Sequence, residues 1–246
     1  DSAVEGALIS KYRNAGQTCV CANRLYVQDK VYDAFVAKLA EKAKGIKVGN
    51  GFEAGVNQGP LIDDAAVAKA QEHVDDAKAK GARVVEINPG GEDLSQQEHR
   101  KIAPTLIIDP TDDMKVMQEE IFGPVLPVKS YRTIDEAVDY VNAHDRPLAL
   151  YWFGTDEAEK DRVLARTTSG GVTVNDVIFH VAQEELPFGG VGPAGMGAYH
   201  GHDGFLEFSH KKAVFQQLKK DIAPMLGLRP PYGEAIRKYL AGQIKK

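Results

Sequence analysis

Stretches with apolar residues at helical spacing alternate along this chain with short runs of β-branched and aromatic residues, and that alternation constrains the fold more than any other feature. Residues 2–13 carry Val4, Leu8, Ile9 and Tyr12 at helical intervals. Residues 24–28 read as a strand, and 31–44 repeat the helical pattern through Val31, Phe35 and Leu39. Residues 63–80 do so again behind an aspartate able to cap them; Gly81 closes that helix and 84–87 begin a strand. Further strands are predicted at 105–108, 125–130, 149–154 and 171–174, with helices at 134–143 and 157–166. Such a rhythm predicts an α/β fold, an open and mainly parallel twisted sheet with helices on both faces. Reactive groups in such sheets gather at the carboxyl ends of the strands. Residues 187–204 read as a long glycine-rich loop, 205–209 and 214–218 as C-terminal edge or arm strands, and 230–242 as a terminal helix with proline at its start.

A chain of 246 residues can bury a sizeable core, and one large α/β domain suits that length as well as two small ones. Its formal net charge of −5 argues against a nucleic-acid partner, because phosphate-seeking domains cluster Lys and Arg on a basic background. Lys211, Lys212, Lys219 and Lys220 form a local basic run, as do Lys245 and Lys246, and such runs are usually solvated faces. No stretch approaches the ~18 consecutive apolar residues of a membrane span, and the acidic start is unlike a signal peptide. A soluble, cytoplasmic protein is expected. Cys19 and Cys21, with one residue between them, cannot staple a secreted scaffold and lack the further ligands of a structural zinc site, which points to a reducing compartment. His180, His200, His202 and His210 show no ligand spacing; they read as loop or surface residues, and no metal is expected.

Residues 14–19, N-A-G-Q-T-C, place Cys19 at the carboxyl end of the opening helix. A nucleophilic cysteine needs its thiolate at a backbone turn, where adjacent main-chain N–H groups can hold an oxyanion, and Gly16 frees the backbone to make that turn. Taken alone, Cys19 is more simply read as a small buried apolar residue. The chain continues with R-L-Y-V at 24–27, G-P-L-I-D at 59–63, E-E-I-F-G-P-V at 119–125 and P-F-G-G-V-G at 187–192. In that order these segments resemble the catalytic half of the aldehyde dehydrogenase superfamily, over residues 1 to about 212.

The resemblance implies a role for each candidate. Cys19 becomes the nucleophile: its thiolate attacks an aldehyde to give a thiohemiacetal, hydride leaves to the nicotinamide of NAD or NADP, and water hydrolyses the thioester. The oxyanion is held by the main-chain N–H of the nucleophile and by an asparagine of the family's amino-terminal half, which this sequence does not contain. Glu120 and Phe122 match residues that hydrogen-bond the nicotinamide ribose and pack against the cofactor; a carboxylate can accept from both ribose hydroxyls. Without the motif they read as a surface charge and a core aromatic. Arg13 stands where succinate-semialdehyde dehydrogenases place a residue gripping the substrate's distal carboxylate, a task suited to a guanidinium fork; a structural salt bridge is the alternative. Cys21 resembles the second member of that subfamily's redox pair, although a disulfide across one residue is strained and readily reduced. Asn175, Phe179 and Phe188 fall at the substrate pocket, where aromatics serve equally well as core.

Residues 1–204 are thus expected to form the catalytic domain and 205–246 a C-terminal arm for oligomerisation, with no cofactor-binding domain. The resemblance implies an incomplete dehydrogenase, since the pyrophosphate-binding turn and the general-base glutamate are missing. Up to about Val85 the text resembles succinate-semialdehyde dehydrogenase. From about His99 onward, including N-D-V-I-F-H-V at 175–181, it resembles the coniferyl-aldehyde and class 3 branch. Natural divergence, recombination and deliberate construction of a chimera each account for that mosaic, and the substrate is left open between small carboxylates and bulky aromatic aldehydes. Two rival functions stand beside the dehydrogenase: a cysteine-dependent esterase, and a non-catalytic oligomerising module. The expected partners are a small-molecule aldehyde and a second copy of the chain, most simply in a two-fold dimer through 205–218, because uncovered apolar faces and strand edges pair.

Overall fold

Helices and strands alternate in the order that the periodicity predicts. The computed structural model describes residues 1–94, 100–217 and 219–244, so His99, Leu218, Lys245 and Lys246 lie outside the described residues. Two units divide the chain, Asp1–Phe208 and Ser209–Lys246. The first contains α1 (Ser2–Tyr12), β1 (Leu25–Gln28), α2 (Asp29–Ala43), α3 (Asp64–Ala79), β2 (Arg83–Glu86), β3 (Thr105–Ile108) and α4 (Lys115–Gln118). After these come β4 (Val125–Tyr131), α5 (Ile134–Ala143), β5 (Ala149–Trp152), α6 (Glu157–Arg166), β6 (Gly171–Val174) and α7 (Gly201–Glu207). Asp63 caps α3 by accepting the Ala66 main-chain N–H at 2.8 Å, and Asp156 caps α6 through Ala158 and Glu159. Each such cap contributes about 1 kcal/mol. Gly81, at φ 85°, reverses the chain after α3 in a conformation glycine takes without steric cost.

Four strands pair in the order β1-β4-β3-β2, the first three parallel and β2 antiparallel at one edge. β5 and β6 pair in parallel as a second sheet. In the four-stranded sheet successive side chains point to opposite faces, and both faces are buried. Leu106, Leu126 and Val128 join Val4 and Ala7 of α1 and Leu39 and Ala43 of α2 in one core. Ile107 and Val125 join Val67, Ala70, Val74 and Ala77 of α3 in the other. Each Leu- or Val-sized side chain so buried contributes about 1.5–3 kcal/mol, and a one-residue slip would exchange the faces, so the register is held firmly. Val138, Trp152 and Val163 fill a third, smaller core where α5 and α6 pack on β5. Among the described residues no helix is long and apolar enough to cross a membrane.

The carboxyl-terminal expectations change. Residues 205–207 are helical, because the G-H-D-G-F-L-E segment closes its main-chain bonds locally, as in Phe208 N–H to the Gly204 carbonyl at 3.2 Å, and carries Asp203 in its first turn. No strand forms at 214–217, and a strand without a ladder partner has nowhere to place its backbone groups. In the second unit the terminal helix α8 (Glu234–Gln243) starts four residues after Pro230, with Gly233 at its amino cap; Pro230 and Pro231 have no N–H to contribute and stay outside it.

Candidate active site

The backbone turns sharply where α1 ends. Asn14, Ala15 and Gly16 take φ values of 54°, 53° and 77° in succession. Left-handed backbone costs a residue with a Cβ roughly 1–2 kcal/mol, and strain of this kind concentrates at functional sites. The Asn14 side-chain amide donates to the Gln17 carbonyl at 2.8 Å, and the Gln17 side-chain oxygen accepts the Ile62 N–H at 3.0 Å. The Cys21 N–H then donates to the Thr18 carbonyl at 2.9 Å, which closes a turn with Cys19 and Val20 at its corners. Val20 is buried and Cys19 is exposed, so the turn presents its thiol at the surface. Among the described residues no hydrogen bond engages the Cys19 main-chain N–H.

This turn docks on the second motif. A Cβ on Gly16 would lie 2.3 Å from the Gly123 carbonyl oxygen, so backbone packs directly on backbone there. Beside that contact the Asn23 side chain accepts the Ile121 N–H at 2.9 Å and donates to the Glu119 carbonyl at 3.0 Å. Arg24 donates to the Glu119 and Val116 carbonyls at 2.9 and 3.1 Å. Glu120 and Phe122 therefore stand on a backbone clamped to the Cys19 segment. Both are exposed; Phe122 takes φ 53° and retains 40% of its surface, which departs from a core aromatic.

Tyr151 holds the turn from the other side. It carries no motif, and periodicity places it only as a strand residue. Its hydroxyl donates to the Val20 carbonyl at 2.6 Å. Burial pushes the phenol well above its ordinary pKa, the Ile178 main chain opposes that rise and Cys21 and Cys19 add to it, so the group remains a donor at neutral pH. Rings continue outward from Tyr151 to His180 (6.0 Å between centroids), from His180 to Phe188 (6.1 Å) and from Phe188 to Tyr199 (5.7 Å). His180 is thus no surface residue. It is buried, its Nδ1 lies 2.8 Å from the Thr173 hydroxyl, and burial lowers its pKa and favours the neutral ring. The strand threonine seven residues before it is the one signal in the sequence for that bond. His200 stacks on Phe188, while His202 and His210 are exposed.

The remaining candidates divide. Asn175, at φ 56°, accepts the Gly154 N–H on its side-chain oxygen at 2.8 Å and donates its own N–H to the Trp152 carbonyl at 2.7 Å, so it ties the ends of β5 and β6 together. Ile178 takes φ 68°, an outlier for a β-branched residue, and Phe179 beside it is exposed. Arg13 is also exposed. It borders a shallow cavity of about 190 Å³ with Tyr12, Lys42 and Ile46, and no described hydrogen bond ties it to the Cys19 turn. Cys19 and Cys21 are both free thiols.

With the two motifs docked on one another, comparison with known proteins becomes decisive. Residues 1–214 match the aldehyde dehydrogenase family. The chain belongs to that family. It is 71% identical over 240 residues to a probable coniferyl aldehyde dehydrogenase of Caulobacter vibrioides, a match covering 96% of this chain and 48% of that protein. That one relative spans both stretches of the apparent mosaic. A crystal structure of succinate-semialdehyde dehydrogenase from Burkholderia pseudomallei superposes with a TM-score of 0.78 at 40% identity, over 85% of this chain and 42% of that one. A double mutant of betaine aldehyde dehydrogenase from Staphylococcus aureus, solved in complex with NAD+, superposes with a TM-score of 0.76 at 34% identity, over 84% of this chain and 41% of that one. The chain spans about half the length of the curated relatives it matches.

Proposed function

We propose that this chain is the nucleophile-bearing part of an aldehyde dehydrogenase dependent on NAD or NADP, in which Cys19 attacks an aldehyde that leaves as a carboxylic acid. The docking of the Cys19 turn on the Glu120–Phe122 segment through Gly16 and Gly123 carries this reading. The thiolate of Cys19 adds to the carbonyl carbon, and the oxygen that gains charge turns toward the Cys19 main-chain N–H. Tyr151 and the Thr18–Cys21 hydrogen bond keep that peptide in place. Glu120 and Phe122, exposed on the clamped backbone, fit a cofactor's ribose and nicotinamide: the carboxylate offers acceptors to hydroxyls and the ring offers a flat apolar face. When bound there, NAD or NADP supplies the hydride acceptor.

For the substrate we infer a bulky aromatic aldehyde. The coniferyl name of the relative at 71% identity supports this, as do Phe179, Phe188 and Tyr199 on the loops after β6. Arg13 borders a cavity with Tyr12 that none of those three aromatics lines. Self-association is part of the same reading. Phe205 and Phe208 in the first unit, and Val214 and Phe215 in the second, are large apolar side chains left exposed.

Acylation tests the assignment of the nucleophile without any cofactor. With a p-nitrophenyl ester the chain should give a stoichiometric burst, with the acyl group mapped to Cys19 by mass spectrometry and absent from Cys19→Ala. Acyl transfer that survives Cys19→Ala, or maps to Cys21, would overturn it.

A further inference from the structure

The sequence holds one Asn-Gly pair, Asn50–Gly51, at the tip of the loop between α2 and α3. Both residues are exposed, and a Cβ on Gly51 would meet nothing within 4 Å. Among the described residues no hydrogen bond engages the Gly51 main-chain N–H. The Asn50 side-chain oxygen accepts the Phe52 N–H at 3.1 Å, and the Asn50 carbonyl accepts the Glu53 N–H at 2.9 Å. The peptide nitrogen after an asparagine can attack the side-chain amide when it is free and unshielded, and glycine, with no Cβ, shields it least. Charge then builds on the side-chain oxygen, where the Phe52 N–H already points. The other asparagines lack this combination. Asn88 is followed by Pro89, which has no N–H. The nitrogen after Asn57 is that of buried Gln58 and donates to the Lys47 carbonyl at 3.2 Å. Asn14, Asn23, Asn142 and Asn175 each precede a residue that carries a side chain.

We propose that Asn50 is a site of spontaneous deamidation, which converts it through a cyclic imide into aspartate and isoaspartate. In the first step hydroxide takes the Gly51 N–H proton and the nitrogen attacks Asn50 Cγ; an N–C bond forms, the Cγ–Nδ2 bond breaks, and the amide nitrogen leaves as ammonia with a proton from water, which restores the hydroxide. In the second, water adds to one of the two imide carbonyls. Breaking the new N–Cγ bond gives aspartate, whereas breaking the original bond between the Asn50 carbonyl carbon and the Gly51 nitrogen gives isoaspartate, with the chain running through Cγ. One water is consumed and one ammonia released, with no change of oxidation state. Either product places a negative charge at the loop tip. Isoaspartate also lengthens the main chain by one methylene and removes the carbonyl that closes the turn onto Glu53. The base of the loop is held separately, by the Gly49 N–H on the Gln58 carbonyl at 3.0 Å, the Asn57 N–H on the Lys47 carbonyl at 2.9 Å and the Gln58 side chain on the Ile102 carbonyl at 2.9 Å. The change is therefore confined to the tip, and it does not depend on the dehydrogenase reading.

The test incubates the full chain in mildly alkaline buffer made with oxygen-18 water, beside a synthetic peptide of residues 44–58 as the unfolded reference. Peptide mapping should show label entering at Asn50 before any other asparagine, with the isoaspartyl fraction accepted by a carboxyl methyltransferase specific for such residues. The rate in the folded chain should be no more than about ten-fold below that of the peptide. Gly51→Ala, whose methyl has open space around it, should fold normally and slow the labelling by about ten-fold or more. Label appearing first at another asparagine, a folded-chain rate further below the peptide's than that, or a smaller effect of Gly51→Ala would each overturn the proposal.

Discussion

Replacing Tyr151 with phenylalanine removes one hydroxyl and keeps the ring that packs on His180. What disappears is the 2.6 Å hydrogen bond to the Val20 carbonyl. Because Val20 is buried, its carbonyl is left without a partner, a loss of about 1–3 kcal/mol. Near the middle of that range, about 2 kcal/mol corresponds to roughly thirty-fold in the balance between a seated and a displaced turn. Stability should fall by a comparable amount, which for a chain of this size lowers Tm by about 4–8 °C. Stopped-flow acylation with the p-nitrophenyl ester separates stability from positioning. The expected result is a several-fold to thirty-fold fall in the first-order acylation constant at saturation, with little change in the ester concentration giving half-saturation. A variant that is less stable in urea but acylates at the wild-type rate would show that Tyr151 supports the fold alone, and the reasoning about the turn would be refuted.

Gly16→Ala should destabilise by more than about 2 kcal/mol, because φ is +77° and the new methyl would sit 2.3 Å from the Gly123 carbonyl oxygen; urea unfolding within about 0.5 kcal/mol of wild type would refute this. His180 gives a pH dependence. Burial lowers its folded pKa, so the unfolded chain binds the proton more readily, and stability present above about pH 6.5 is lost as pH falls through the folded value. Urea midpoints between pH 8 and 5 should therefore fall more steeply for wild type than for His180→Gln, and parallel curves would contradict it. Light scattering across a dilution series should show a dimer that dissociates at low concentration, and a monomeric mass persisting at high micromolar concentration would remove the case for self-association.

Local signals made the helices and strands of the first unit legible. Asp63 and Asp156 mark helix starts, Gly81 marks an end, and the β-branched runs at 105–108 and 171–174 coincide with β3 and β6. Motif text likewise singled out the two segments, 14–19 and 119–125, that the fold docks on one another through Gly16 and Gly123. Tyr151 and His180 were not legible, because each acts through a contact defined only in three dimensions: Tyr151 reaches a carbonyl 131 residues away in sequence. The carboxyl terminus was misjudged for a different reason. Phe205 and its neighbours suit a strand by composition, but a ladder needs a second strand, whereas the helix at 201–207 completes its bonds within itself.

The contact between Gly16 and Gly123 has a consequence for how such a protein can change over generations. With the Gly123 carbonyl where a Gly16 side chain would stand, Gly16 cannot accept a larger residue to retune the spacing, and a shift of one segment carries the other with it. The Cys19 turn and the Glu120–Phe122 segment are therefore inherited as a single block. On the proposed reading, novelty in what the protein accepts enters elsewhere, through the loops around Phe179 and Phe188, where side chains can be exchanged without moving that block.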